Sequence, residues 1–372
     1  MNLSRASPVG QCLDMCPFKE RKQREQQGRL HKYEILDGQW TGRGQRLKRL
    51  PLADPAKTVK EYSRPAAGKE LSSPRDLRPS SVLLKTVQYL LFEVWDRVID
   101  SDSVSLAEAY SFVFDRLRAV RQDLTVQRIR GHSGALVLEG SLGFLLCSPY
   151  LVRELPLGSY DEVLHANQVR ESFAELMECY RTEPKCQREA EFQALLLLYD
   201  LGNMDTLNRA LKLPRGVVDS PQVLIALAVN RAHLEGNWTR LFRLLRRLDC
   251  LQTCAFYRHL PKIRDRALRI LTHAYNSRNC RFPLDLLAYL LVVDNIEVAR
   301  QMCIRRGLSL APEDQQSIIF YKTSFKDLGP EGPGKEGHLV ERKKGDFTWA
   351  EIMLGEDEGE FARSSKQLKS LY

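Results

Sequence analysis

No stretch of the 372-residue chain approaches the roughly 20 consecutive apolar residues of a membrane-spanning helix, and its first 30 residues are too polar for a secretory signal. Neither membrane insertion nor secretion is expected; a soluble, intracellular protein is. The signatures of common enzyme chemistry are missing too. There is no phosphate-binding P-loop, no glycine-rich dinucleotide motif, no His-Glu-x-x-His pair and no nucleophile elbow, and the seven histidines form no spaced cluster. These absences argue against a catalytic centre, a cofactor or a small-molecule substrate. Disulfides are not expected either. The nine cysteines are odd in number, and most of them, such as Cys147, Cys179 and Cys303, sit inside apolar helical patterns that suit reduced, packed thiols.

What the chain does have is unevenly placed charge. The total of +9 divides into +8 over residues 1–80, −5 over 81–230, +9 over 231–306 and −3 from 307 onward. Dense positive charge collects polyanions, so the two basic regions and the acidic middle are expected to meet different partners.

Apolar residues recur at helical spacing almost throughout. Val82, Leu83, Val87, Leu90, Leu91, Val94, Trp95 and Val98 make one wide buried face, and a second helix is expected over residues 106–130. Helical patterns with short loops continue to Asn276. Two short helices then fall at 284–291 and 296–306, and strand-like residues at 317–321. Together these predict a mostly α fold: an α-solenoid of paired helices and a small winged-helix module. Expected boundaries are 1–78 for an N-terminal extension carrying a charged helix over 18–36, 79–278 for the solenoid, 279–328 for the winged helix and 329–372 for a flexible acidic tail. The tail opens on the linker-like GPEGPGKEG of residues 329–337.

Several residues invite a chemical role. Cys12 and Cys16 lie four apart with His31 nearby, but a structural zinc site needs four ligands and no second pair sits close, so no metal is expected. Cys12, Met15 and Cys16 instead suit apolar docking of the N-terminal segment, and Cys250 and Cys254, one helical turn apart, suit core packing. Ser72-Ser73-Pro74-Arg75 has the form of a phosphorylation site, a form common enough to carry little weight alone.

The sharper candidate is electrostatic. Arg240, Arg243 and Arg247 recur at helical spacing opposite Leu241, Leu244, Leu245 and Leu248; Lys262, Arg264, Arg266 and Arg269 form a second cluster, and Arg305 and Arg306 extend it if the last module folds against it. Arginine forks onto phosphate and gives affinity without base readout, which fits sequence-nonspecific RNA. Binding to acidic faces of the same chain or of a partner fits the stripe equally well. Trp238, Phe242 and Tyr257 are the modest supply of aromatics for base stacking.

One motif is more particular. Cys12, Met15, Cys16, Pro17, Glu20 and Arg21 form the pattern C-x-x-M-C-P-x-x-E-R, followed by Arg24, Glu25, Leu30 and Tyr33-Glu34. Three further stretches follow in order: Val59 to Arg64, then Leu77-Arg78-Pro79, then Phe112 to Thr125, which carries Asp115, Arg116, Arg118, Arg121, Gln122 and Asp123. With Glu189 to Phe192, Gly236-Asn237-Trp238 and Ile263 to Leu268, this series resembles the germinal-centre-associated nuclear protein (GANP) family, scaffolds for nuclear mRNA export, from about Gly10 to about Ser324.

The resemblance implies a PCI-type arrangement, paired helices ending in a winged helix, that docks a second PCI-domain subunit and a small acidic protein. It implies a non-enzymatic adaptor of nucleus or cytoplasm. Because the family is also linked to centrosome duplication and spindle behaviour, a mitotic role at the centrosome and spindle is an equal alternative to export. Larger members continue into a centrin-recruiting helix and pore-binding regions. This sequence ends at Tyr372, so it resembles the small stand-alone member, for which export would need another anchor.

Overall fold

The computed structural model describes residues 7–36, 50–64, 73–155, 158–183, 186–330, 332 and 334–355. Of the sequence features above, Ser72 and residues 356–372 of the acidic tail fall outside these residues. The protein is mostly α-helical. It divides into two units: Met1–Ser148 with Glu154–Cys186 and Thr348–Tyr372, and Pro149–Arg153 with Gln187–Phe347.

In the first unit, α1 (Phe18–Gln26) is shorter than the 18–36 helix expected. Gly28 at φ +62° turns the chain out of the helical path, and only a single 3-10 turn, Lys32–Glu34, follows. α2 (Ser80–Gln88) runs through a π-type turn at Tyr89–Trp95 and carries the apolar face read from the sequence, with Leu83, Val87, Leu90, Leu91 and Trp95 fully buried. α3 (Ser103–Gln127) starts where the Asp102 carboxylate accepts the Val104 and Ser105 N–H groups, and stops where Arg128 turns left-handed at φ 53°.

α4 (Gly131–Leu151) is apolar on every side and mostly buried. It is long and apolar enough to cross a membrane by length and composition, contrary to the expectation of no such run, but enclosure by protein is what an all-round apolar helix in a core also requires. α5 (Glu162–Thr182) lays its Tyr180 hydroxyl on the buried Glu139 of α4, 2.8 Å away.

In the second unit, α6 (Glu189–Tyr199) packs against α7 (Met204–Ala210) and α8 (Pro221–Leu234). α8 in turn meets α9 (Trp238–Leu245), and α10 (Cys250–Phe256) packs on α6. Ser220 and Asn237 cap α8 and α9, and Asp249 forms a capping box with Gln252 at α10, so three helix starts are fixed by local side chains. Cys250 and Cys254 are buried.

After α11 (Leu260–Ala274), β1 (Phe282–Pro283) leads into α12 (Leu284–Leu291) and α13 (Ile296–Arg305), and then into β2 (Ser309–Leu310) and β3 (Ser317–Ile319). The small antiparallel sheet has the order β1-β3-β2, pairing Phe282 with Ile318 and Ser309 with Ile319. Phe282 and Phe320 meet edge to face at 5.4 Å beneath it.

The flexible tail expected from Gly329 needs correction over 334–355, which is folded. Gly334 O accepts the Tyr257 hydroxyl at 2.7 Å, Glu336 grips Arg264, and the Asp294 carboxylate accepts the Gly337 and His338 N–H groups. Lys343 Nζ donates to Leu245 O at 2.7 Å and to Thr253 Oγ1 at 2.9 Å. Composition reads residues 329–337 as a linker, yet Glu336 and, further on, Lys343 find partners 72 and 90 or more residues away in sequence. In the first unit, α14 (Trp349–Leu354) buries Trp349, Ala350 and Met353 and sits on Gly140 and Gly143 of α4.

Candidate partner-binding surfaces

The motif residues of the N-terminal extension converge on α3 of the first unit. Gln11 N donates to Pro74 O at 2.8 Å and Cys12 N to Leu77 O at 2.9 Å, which lays the segment along the 74–77 turn. Gly10 N donates to Gln127 Oε1 at 2.7 Å, and a Cβ at Gly10 would meet that oxygen and Leu77 O at the same distance. Only glycine fits there. Cys12, Met15 and Cys16 are buried, and burial pushes both thiols up from their ordinary pKa, so they stay protonated and unreactive. Among the described residues no group of three or more His, Cys, Asp or Glu is placed to hold a metal ion.

Beneath these thiols lies a network of buried charge. Arg24 and Glu34, both fully buried, form an ion pair; Arg24 Nη1 also donates to Val59 O at 2.9 Å, and Glu34 accepts the His31 and Val59 N–H groups. Arg116 adds its guanidinium to Glu34 and Glu61 at 3.4 Å, pairs with Asp115, and lies over the Phe112 ring. Glu20 accepts the Glu61 N–H at 2.8 Å, and Arg21 pairs with Asp14 beside Pro17, which opens α1.

A second knot forms at Asp123, which takes Lys60 Nζ and Arg78 Nε, each at 2.7 Å; Arg78 also reaches Met15 O. Arg118 stacks on Tyr62 at 3.9 Å, Gln122 donates to Ser63 O, and Arg121 bonds Gln168 and Glu175 of α5 as well as Glu171. Lys60, Glu61 and Arg78, which belong to the family-like stretches but were not among the candidate site residues, also carry the network. No local spacing singles them out, since Lys57 and Arg64 flank the first pair and Arg75 and Asp76 precede Arg78.

The candidate basic residues all lie in the second unit and divide into two kinds. Arg240, Arg243 and Arg247 stand exposed along α9 and the turn after it, while Leu241, Phe242, Leu245 and Leu248 are buried on the other side. Arg240 is lightly engaged by Glu235 at 3.8 Å. Lys262 and Arg266 are exposed on α11, and the Arg266 guanidinium lies close to Gly236 in the loop before α9, so the two clusters adjoin. Arg305 is exposed on α13.

Arg264 and Arg306 depart from the expected surface cluster. Arg264 is buried against Glu336 and donates to Leu291 O and Val292 O, where it caps the end of α12. Arg306, 1% exposed, binds Asp265 and Gly329 O. Arg269 is half-exposed and spent on Asp265 and Asp327. The aromatics change as well: Phe242 and Tyr257 are buried and Trp238 is half-buried, while Tyr289, 65% exposed with Arg246 stacked over it at 4.3 Å, Tyr275 and Phe347 are open to solvent in this unit. Tyr289 shares the surface of α12 and α13 with exposed Leu286, Ile296, Val298 and Ile304.

Comparison with known proteins bears on both surfaces. A family model described as the SAC3/GANP family matches residues 15–312, a span that holds the buried network and every one of the basic residues. SAC3 family protein 1 of Schizosaccharomyces pombe is 29% identical over 372 residues, covering 93% of this chain and 35% of its own length. SAC3 family protein B of Arabidopsis thaliana is 30% identical over 71% of this chain and 15% of its own length, and Protein xmas of Drosophila melanogaster is 28% identical over 81% and 14%. The chain thus spans about a third or less of the relatives it matches.

Proposed function

The chain belongs to the SAC3/GANP family, and from that premise we propose that it is a non-enzymatic intracellular adaptor in mRNA export from the nucleus or a related assembly. In this reading the second unit docks a PCI-domain subunit together with a small acidic protein, and its exposed arginines hold RNA by the phosphates. The observation that carries it is the α9 face, where Arg240, Arg243 and Arg247 project to solvent beside Arg266 and Lys262. Six acidic residues against fifteen basic ones over 231–306 leave most of that positive charge uncancelled. Exposed Leu286, Tyr289, Ile296, Val298 and Ile304 support a protein partner on α12 and α13, because contiguous exposed apolar surface marks interaction sites. The two short helices and small sheet after Arg281 fit the winged-helix reading of that module.

The test is charge reversal at Arg243 and Arg247 with RNA affinity measured across salt. Each lost phosphate contact lowers the slope of log K against log salt by about 0.7 for a single strand, so the double variant should flatten it by about 1.4 and bind weakly at all sequences alike. Unchanged RNA binding with loss of a co-expressed PCI subunit would assign the arginines to the protein interface instead.

A further inference from the structure

The chain contains four Ser-Pro dipeptides, at Ser7, Ser73, Ser148 and Ser220, and the fold treats them very differently. Ser148 is fully buried, and its hydroxyl donates to Phe144 O within α4 at 2.6 Å. Ser220 is committed to capping α8: its Oγ donates to Val217 O at 2.7 Å and accepts the Val223 N–H. Ser7 is half-buried and is followed by Val9 and Gly10, with no basic residue after its proline. Ser73 alone combines an exposed position, an exposed Pro74 and an exposed Arg75. It stands at the start of the Pro74–Asp76 turn, yet its side chain makes no capping hydrogen bond there. Its backbone, at φ −54° and ψ 141°, is held extended, the conformation that a following proline imposes.

We propose that Ser73 is a phosphorylation site for a proline-directed Ser/Thr kinase using ATP. In the transfer, Ser73 Oγ forms a bond to the γ-phosphorus, the bond from that phosphorus to the β-phosphate oxygen breaks, ADP leaves, and the hydroxyl proton passes to the kinase's base. Among the described residues no bond of the Ser73 hydroxyl is lost, because it caps nothing. The product carries a charge of about −1.5 to −2 at pH 7 on the turn whose Pro74 and Leu77 carbonyls hold Gln11 and Cys12. It would therefore mark the edge of the docked N-terminal motif, with Arg75 two residues on as a nearby cation.

The experiment treats the full chain, and separately four peptides spanning the Ser-Pro pairs, with purified cyclin-dependent and MAP-type kinases and ATP, followed by site mapping by mass spectrometry. The peptides report what sequence alone allows; the folded chain reports what the structure permits. The expected result is phosphate on Ser73 in the folded chain, at least tenfold less incorporation in Ser73→Ala, and no phosphate on Ser148 or Ser220 in the folded chain even where their peptides accept it. A folded chain left unmodified at Ser73, or one in which Ser7 or Ser220 takes most of the phosphate, would overturn the proposal. So would failure of both kinases on the Ser73 peptide.

Discussion

Arg24 of α1 and Glu34 of the following 3-10 turn form an ion pair with neither side chain exposed, ten residues apart and closed over by Cys16 and Val59. Two charges out of water are tolerated because every lone pair is answered: Glu34 takes Arg24, Arg116 and two backbone N–H groups. Replacing Glu34 by Gln takes the one fully buried carboxylate from two guanidinium groups, which keep only the part-exposed Glu20, Glu61 and Asp115, and should cost about 3 kcal/mol in denaturant unfolding. Pairing Glu34→Leu with Arg24→Met should recover part of that loss. Arg231→Ala is the contrasting control, because its pair with Glu235 lies open to solvent and its removal should leave the unfolding midpoint unchanged.

Gly143 lets α14 settle onto α4. A Cβ built there would stand 2.3 Å from Met353 O and 2.7 Å from Met353 Cα, which are backbone atoms that cannot swing aside. Gly143→Ala should therefore lift the helix Trp349–Leu354, at a cost of about 1–3 kcal/mol, and shift the fluorescence of the buried Trp349 to the red. Gly216→Ala, with nothing within 4 Å of its added Cβ, should do neither.

These positions show what could be read in the sequence. α3 was legible as a helix because twenty-five residues give a long period, but the expected span of 106–130 lies three residues late at both ends, since Asp102 caps the start and Arg128 turns left-handed at the end. The α9 stripe was legible for a similar reason: Arg240, Arg243 and Arg247 alternate with leucines at helical spacing, and that spacing decides which side faces water. Arg264 and Arg306 carried the same local signal and are nonetheless inside, because Glu336 lies 72 residues from the first and Asp265 lies 41 residues from the second. Spacing cannot reveal a partner at that distance. The six residues of α14 are too few to show a period, and what holds them is a glycine pair on α4, far earlier in the chain.

Acid should destabilise the protein through two histidines in particular. Burial lowers both His31 and His259 from 6.5 to about 4, because the charged imidazolium loses its hydration. The unfolded chain takes up these protons first as pH falls, so stability is full above pH 6.5 and declines between about 6.5 and 4. Protonating His31 also removes its Nδ1 as acceptor for the Tyr33 N–H, whereas His259, whose Nε2–H donates to Tyr199 O, keeps that bond. Urea unfolding at pH 7.5, 6 and 5 should show the decline. His31→Gln and His259→Gln should each shallow it, and an unaltered pH slope in both variants would contradict the assignment.

His165 offers a test of tautomer. Its Nε2 lies 2.8 Å from Leu145 O, a carbonyl that can only accept, so Nε2 carries the proton and Nδ1 is the acceptor for the Tyr110 hydroxyl at 2.9 Å. The pair sits among Phe114, Phe144 and Tyr160, where little water is available to replace a lost partner. Tyr110→Phe keeps the ring packing but takes the donor from buried Nδ1, and should cost about 1–3 kcal/mol. The nitrogen-15 shifts of His165 should report a neutral ring protonated at Nε2 in the wild type. A ring protonated at Nδ1, or a Tyr110→Phe variant as stable as the parent, would mean that the hydroxyl does not donate there.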